Sequence, residues 1–395
     1  SPVLESRVTV GDVEGQQSLA DAVADLAPTP IADEIEGGYM WYSSGTTGRP
    51  KGILPRLSGA PFGSGNALDA SMGAAFGFGP DTVYLCPGPL YHAAPLAWTI
   101  GTIRNGGTAV VMERFDARAA LELIERHRIT HAQFVPTMFV RMLKLDEAER
   151  AAHDHSSLRM AIHAAAPCPI DVKQKMIDWW GPILLEYYAG SEGNGMCLID
   201  SATWALRRGS VGVPINCEVH ICDADGTELG PNEVGTIWFA AEGVGFTYHN
   251  DPEKTAAAYN DRGWSTLGDL GHVDEDGFVF LSDRRSDLII SGGVNIYPRE
   301  VEDVLVLHPA VTDVAVIGLP DEEMGQRVHA VVQPADPQVD TEALAAELLA
   351  FVRDRIAHFK APRSISVEPE FPRLPSGKVL RRVLLERMTA EPATS

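Results

Sequence analysis

The sequence predicts an α/β protein in which a large multi-layer α/β domain carries a β-rich subdomain and is followed by a small C-terminal α+β domain. Three observations predict it. Short β-branched or apolar runs alternate with helical patterns from residue 39 to 188, short strands separated by turn clusters follow from 212 to about 282, and a further unit begins after Asp283. With 395 residues and 45% hydrophobic content the chain can bury a sizeable core, and its length suits two or three domains.

Within the first stretch, residues 108–112, 130–135, 160–163 and 183–188 read as strands, while 117–128 and 170–180 carry helical periodicity. Such alternation implies a doubly wound sheet with ligands beyond the carboxyl ends of its strands. In the second, Asp223-Ala224-Asp225-Gly226 and Asp274-Glu275-Asp276-Gly277 punctuate the strands as turns. In the third, apolar runs at 315–319 and 328–332 and a helical segment at 341–358 make a small domain. The boundaries expected are 1–285 for the large domain and 286–395 for a small mobile one.

Composition narrows function. Formal charge is 32 − 54 = −22, which argues against nonspecific attraction to nucleic acid or anionic lipid, so an anionic ligand must be held by local features. The five cysteines form no CxxC pair or zinc spacing and fit reduced thiols in a cytoplasm. The longest apolar stretch, 93–103, falls far short of the roughly 20 residues a membrane span needs. No integral-membrane role is expected, and a homo-oligomer is compatible with the composition.

Several segments carry chemistry. Tyr42-Ser43-Ser44-Gly45-Thr46-Thr47-Gly48-Arg49-Pro50-Lys51-Gly52 follows an aromatic run at 39–41 that reads as a strand. Its glycines free the backbone to approach an anion, its hydroxyls and N–H groups can ring phosphate oxygens, and Lys51 adds positive charge. It is not a Walker loop, because GxxxxGK[ST] is absent; a flexible surface loop is the bland alternative. Tyr187-Tyr188-Ala189-Gly190-Ser191-Glu192-Gly193 closes an apolar strand, and Gly263-Trp264-Ser265-Thr266-Leu267-Gly268-Asp269 offers a carboxylate that suits a vicinal diol, being an acceptor with two oxygens. Taken singly, an exposed Glu192 and a solvated turn aspartate are equally readable.

Together these segments resemble the adenylate-forming, AMP-binding superfamily, of the acyl-CoA synthetase or fatty-acid–CoA ligase type. The phosphate loop is similar to YTSGTTGxPKG with Ser43 for Thr, the second segment to YGxTE with Ala189 for Gly and Ser191 for Thr, and the third to GWxxTGD with Leu267 for Thr. Asp283-Arg284-Arg285-Ser286-Asp287, Ser291-Gly292-Gly293 and Phe371-Pro372-Arg373-Leu374-Pro375-Ser376-Gly377-Lys378 complete the family's order, over 31–382. The resemblance implies that Ser43, Ser44, Gly45, Thr46, Thr47, Gly48 and Lys51 hold the phosphates of ATP, with Ser191 beside them. It implies further that Tyr188 stacks on adenine, Asp269 and Arg284 hold the ribose, and Glu192 binds Mg²⁺. Lys378 is the implied adenylation lysine and Ser286 the hinge, where the family usually has Asp or Lys. Gly292 and Gly293 are expected beside the pantetheine channel, and His92, Ala164 and Gly190 around the acyl group.

The expected reaction is ATP-dependent conversion of a small-molecule carboxylic acid, expected to be a fatty acid, to acyl-AMP, followed by thioester formation with coenzyme A. Loading of an acyl carrier protein is the rival within enzymes, and a non-catalytic nucleotide-binding protein the rival outside them. The second rival arises because only 41 residues precede Tyr42, where the family usually has many more, so an N-terminally truncated version is expected.

Overall fold

The computed structural model describes residues 8–10, 13–27, 29–43, 51–65, 67–241, 245–284, 287–373 and 379–390. The chain divides into two compact units, residues 1–37 with 57–65 and residues 38–56 with 66–395. In the first, strands β1 (Val8–Thr9) and β2 (Gln17–Ser18) pair in parallel, and Ser18 caps helix α1 (Leu19–Val23) by accepting from the Asp21 N–H at 3.1 Å. The buried Glu36 carboxylate gathers the N–H groups of Gly63 and Gly65 at 2.8 and 3.2 Å.

The second unit opens with the antiparallel pair β3 (Trp41–Ser43) and β4 (Lys51–Pro55). Helices α2 (Ala67–Phe76), α3 (Ala93–Arg104), α4 (Ala117–Arg126), α5 (Pro136–Leu143), α6 (Glu147–Ala151) and α7 (Ile170–Trp180) follow, interleaved with strands. Those strands, β5 (Val83–Cys86), β6 (Thr108–Val111), β7 (His131–Phe134), β8 (Met160–His163) and β9 (Leu184–Ala189), run parallel in the order β9-β8-β7-β5-β6. The helices form where caps and apolar faces agree. Asp116 accepts from the Ala119 N–H at 2.9 Å to start α4, whose buried face is Ala120, Leu121 and Ile124; Gly181, at φ 82°, ends α7. Phe134, Phe139, Met176 and Trp180 lie in the core that these elements share.

The chain then doubles back through β10 (Met196–Asp200), α8 (Ser201–Leu206), β11 (Ser210–Ile215), β12 (Glu218–Cys222), β13 (Gly235–Ala240), β14 (Phe246–Tyr248), α9 (Pro252–Ala257), β15 (Asp269–Val273) and β16 (Val279–Arg284). Strands β12, β13, β15, β16, β11 and β10 continue the parallel sheet, giving eleven strands in the order β12-β13-β15-β16-β11-β10-β9-β8-β7-β5-β6. The β-rich stretch therefore shares backbone hydrogen bonds with the α/β stretch, through the antiparallel β9–β10 and β10–β11 pairs. Strand β14 instead joins β4 and β3 in a separate three-stranded sheet.

Beyond residue 286 come β17 (Ile289–Ser291), β18 (Val294–Ile296), α10 (Pro298–Leu305), β19 (Val311–Asp321), β20 (Gly325–Pro334), α11 (Thr341–Arg353), β21 (Ser364–Val367) and α12 (Arg381–Ala390). They share a core of their own around Val301, Leu305, Val316, Val332 and Leu348. Helix α11 ends five residues before the sequence-predicted limit at His358. Its buried stripe of Leu344, Leu348 and Val352 stops there, and the N–H groups of Arg355 and Ile356 both return to the Val352 carbonyl, tightening the last turn. The five cysteines carry no disulfide, and no helix among the described residues is long and apolar enough to cross a membrane.

Candidate functional site

Because β5, β8 and β9 run parallel, the segments that leave their carboxyl ends lie at one edge of the sheet. His92 starts α3 after β5, its ring 4.8 Å from that of Tyr91. Ala164 is buried just past β8 and is followed by Ala165 in the left-handed region at φ 72°. Gly190, Ser191 and Glu192 follow β9.

Strand pairing brings distant residues to that edge. Asp269, the first residue of β15, lies where β9 ends, and the Tyr188 hydroxyl donates to its Oδ2 at 2.7 Å across 81 residues of sequence. Asp269 is also the register partner of Arg284 in β16. The Tyr188 ring packs 5.7 Å from Phe239, so one face of the phenol is backed by the apolar cluster of Cys197, Ile237 and Phe239. The loop before Asp269 is pinned by hydroxyls: Thr266 donates to the Ile237 carbonyl at 2.7 Å and accepts from the Gly268 N–H at 3.0 Å, while Asn194 donates to Ser265 at 3.1 Å.

The β3–β4 pair brings the second half. Ser43 and Lys51 are register partners in β3 and β4, so they flank the intervening loop. Lys51 Nζ lies 4.9 Å from the centroid of the Tyr248 ring, and the Tyr248 hydroxyl donates to Glu192 Oε1 at 2.9 Å. Burial first, and the neighbouring Glu192 carboxylate second, push the Tyr248 phenol far above its ordinary range, which keeps it an O–H donor. A glutamate carboxylate oxygen is a ligand that suits magnesium, which typically takes one or two carboxylates together with substrate phosphates. Among the described residues no cluster of three or more His, Cys, Asp or Glu side chains that could hold a metal ion forms.

Gly292 and Gly293 form the two-residue turn between β17 and β18, at φ 57° and 78°. A Cβ on Gly292 would stand 2.4 Å from Met324 Cε. Ser44, Gly45, Thr46, Thr47, Gly48, Ser286 and Lys378 lie outside the described residues. Sequence reasoning missed Tyr248, whose strand carries no local mark of the link to Glu192 56 positions away. It also missed the buried pair of Lys173 and Glu186, 2.6 Å apart, with His163 Nε2 3.8 Å from the same carboxylate. Burial holds His163 well below its ordinary value, and the charge of Lys173 adds to this. His163 and Glu186 are register partners on β8 and β9, and Lys173 reaches the Glu186 carboxylate from α7.

Tyr188 thus meets Asp269 near the end of β9, and Glu192, just past that strand, meets Tyr248. The chain belongs to the AMP-binding enzyme family: the model of that family matches residues 4–249, and that of the AMP-binding enzyme C-terminal domain residues 300–378. A feruloyl-CoA synthase from Amycolatopsis is 36% identical over 370 residues, which are 93% of this chain and 72% of that protein. A long-chain-fatty-acid–CoA ligase from Bacillus subtilis is 34% identical over 374 residues, 92% of this chain and 64% of that one. The solved o-succinylbenzoate CoA synthetase from Bacillus subtilis, in complex with its acyl-adenylate intermediate, superposes with a TM-score of 0.71 at 32% identity, covering 87% of this chain and 68% of that one. The chain thus spans between 64% and 72% of the length of these relatives. The named relatives are CoA ligases, which puts this enzyme in the acid–thiol ligase class.

Proposed function

We propose that this chain converts a carboxylic acid and ATP to acyl-AMP and pyrophosphate, and then passes the acyl group to the thiol of coenzyme A. In the first step a carboxylate oxygen bonds to the α-phosphorus as the bond to pyrophosphate breaks. In the second the thiolate sulfur bonds to the acyl carbon and AMP departs with the bonding pair. The observation that carries this reading is the meeting of Tyr188 with Asp269 and of Tyr248 with both Glu192 and Lys51.

In this reading Tyr188 lies against the adenine and Asp269 accepts from the ribose hydroxyls, with Arg284 on the opposite strand. Ser43 to Gly48, Lys51 and Ser191 hold the phosphates. Glu192 would hold a magnesium ion beside them, and the chemistry that ion supplies is neutralisation of phosphate charge. Lys378 supplies a cation to the attacked phosphoryl group. His92, Ala164 and Gly190 border the acyl group. The small domain, from Ser286 onward, turns about that residue so that Gly292 and Gly293 replace Lys378 at the site. Aromatic acids come first in the proposed substrate class, supported by the feruloyl-CoA synthase; a fatty acid is the second reading, supported by the long-chain ligase.

Pyrophosphate release from Mg-ATP with a panel of aromatic, short and long acids tests this, alongside Lys378→Ala and with CoA supplied or withheld. Acid-dependent release that falls about a hundredfold or more in the variant is expected, with a thioester appearing when CoA is present. ATP binding without release overturns the catalytic reading. Release without a CoA thioester moves the acceptor to a carrier protein.

A further inference from the structure

Tyr248 links Lys51 at the start of β4 to Glu192 in the segment after β9 through a single side chain. Its backbone is fixed on every side. The Tyr248 N–H donates to Thr255 Oγ1 at 2.9 Å, its carbonyl accepts from the Asp251 N–H at 3.1 Å, and the next N–H, of His249, donates to the Gly52 carbonyl at 2.7 Å. Its side chain is 7% exposed, packed at 5.2 Å edge-on to Phe246, so the ring has little freedom to turn. From that fixed position the face of the ring meets Lys51 Nζ and its hydroxyl meets Glu192 Oε1.

Each contact has a physical purpose that the other cannot serve. A glutamate on a loop can swing its carboxylate among rotamers, and a charge-assisted hydrogen bond from a buried donor holds it in one. An ammonium over the negative face of an aromatic ring is likewise drawn toward one position. Tyrosine does both with one rigid group. We propose, resting on the nucleotide reading above, that Tyr248 is a positioning residue that sets the Glu192 carboxylate and the Lys51 ammonium in fixed relation for the binding of metal-bound ATP. The bland alternative is a phenol that is hydrogen-bonded only because it is buried.

The two roles separate by substitution in the full chain. Tyr248→Phe removes the hydroxyl and keeps the ring, while Tyr248→Leu removes both. ATP affinity is measured by calorimetry with magnesium and again in chelator, together with the magnesium concentration that gives half-maximal pyrophosphate release. For Tyr248→Phe the affinity for metal-bound ATP is expected to fall about tenfold, the loss of one hydrogen bond to a charged group, with metal-free ATP bound as by the parent. The magnesium requirement should rise by a similar factor. Tyr248→Leu should weaken metal-free ATP as well, because Lys51 loses the ring. Parental magnesium dependence in Tyr248→Phe, or an equal loss with and without metal at a lowered melting temperature, overturns the proposal and leaves the nucleotide reading standing. A parent chain that binds no ATP overturns both.

Discussion

A methyl group on Gly190 would stand 2.4 Å from Leu267 Cδ2 and 2.9 Å from Glu192 Oε2, closer than real carbon atoms approach such neighbours. The atoms in the way are the far ends of the Leu267 and Glu192 side chains, Leu267 reaching over from the loop that leads to Asp269. Gly190→Ala must displace Leu267 or turn the Glu192 carboxylate, and a misplacement on that scale costs on the order of a hundredfold in rate. Adding Leu267→Ala is expected to restore part of the pyrophosphate release, because it removes the nearer contact. A double variant no faster than Gly190→Ala would refute this account. At this scale the sequence displayed Tyr188 and Glu192 in one segment and Asp269 in another. The hydrogen bond from Tyr188 to Asp269 and the contact of Leu267 with Gly190 join positions some 80 residues apart, so no local pattern could carry them.

Elements were largely legible where burial is periodic. Strand β8 and helix α7 occupy the residues that the apolar runs at 160–163 and 170–180 predict, and α11 departs only where its buried stripe stops. What periodicity could not show is which polar residues a strand takes inside. His329 on β20 is 4% exposed, its Nδ1 2.7 Å from Ser364 Oγ on the neighbouring β21. Burial, with a smaller contribution from Arg327, lowers its pKa from 6.5 to about 4. The unfolded imidazole takes a proton near pH 6.5 and the folded one resists until about pH 4, so the unfolded state binds more protons across that window. Stability present above pH 6.5 is thus lost as pH falls toward 4, by up to roughly 3 kcal/mol from this residue. Thermal melts between neutral and acidic pH should show a shallower decline for His329→Asn than for the parent. Parallel curves would mean that the residue protonates equally in both states.

Over the whole molecule the charge of −22 sets a different expectation. Exposed ion pairs such as Arg118 with Glu149 and Arg382 with Glu386 contribute little net stability, whereas an acidic excess repels itself throughout the compact state. Raising salt from about 10 mM to about 150 mM shortens the screening length from roughly 30 to 8 Å and should move the urea midpoint upward. A midpoint that falls would show that attractive pairs outweigh the repulsion.

The sequence by itself determined the α/β class and the limits of elements such as β8 and α7, because caps and apolar periods are local properties written in neighbouring residues. The tertiary structure alone decided that β10 and β11 join the antiparallel strands to the parallel sheet, and that β14 leaves that sheet for β4. It alone set Tyr248 between Lys51 and Glu192. Those outcomes depend on backbone hydrogen bonds and packing between segments far apart in the chain, where the free energy of a pairing belongs to both partners and to neither sequence alone.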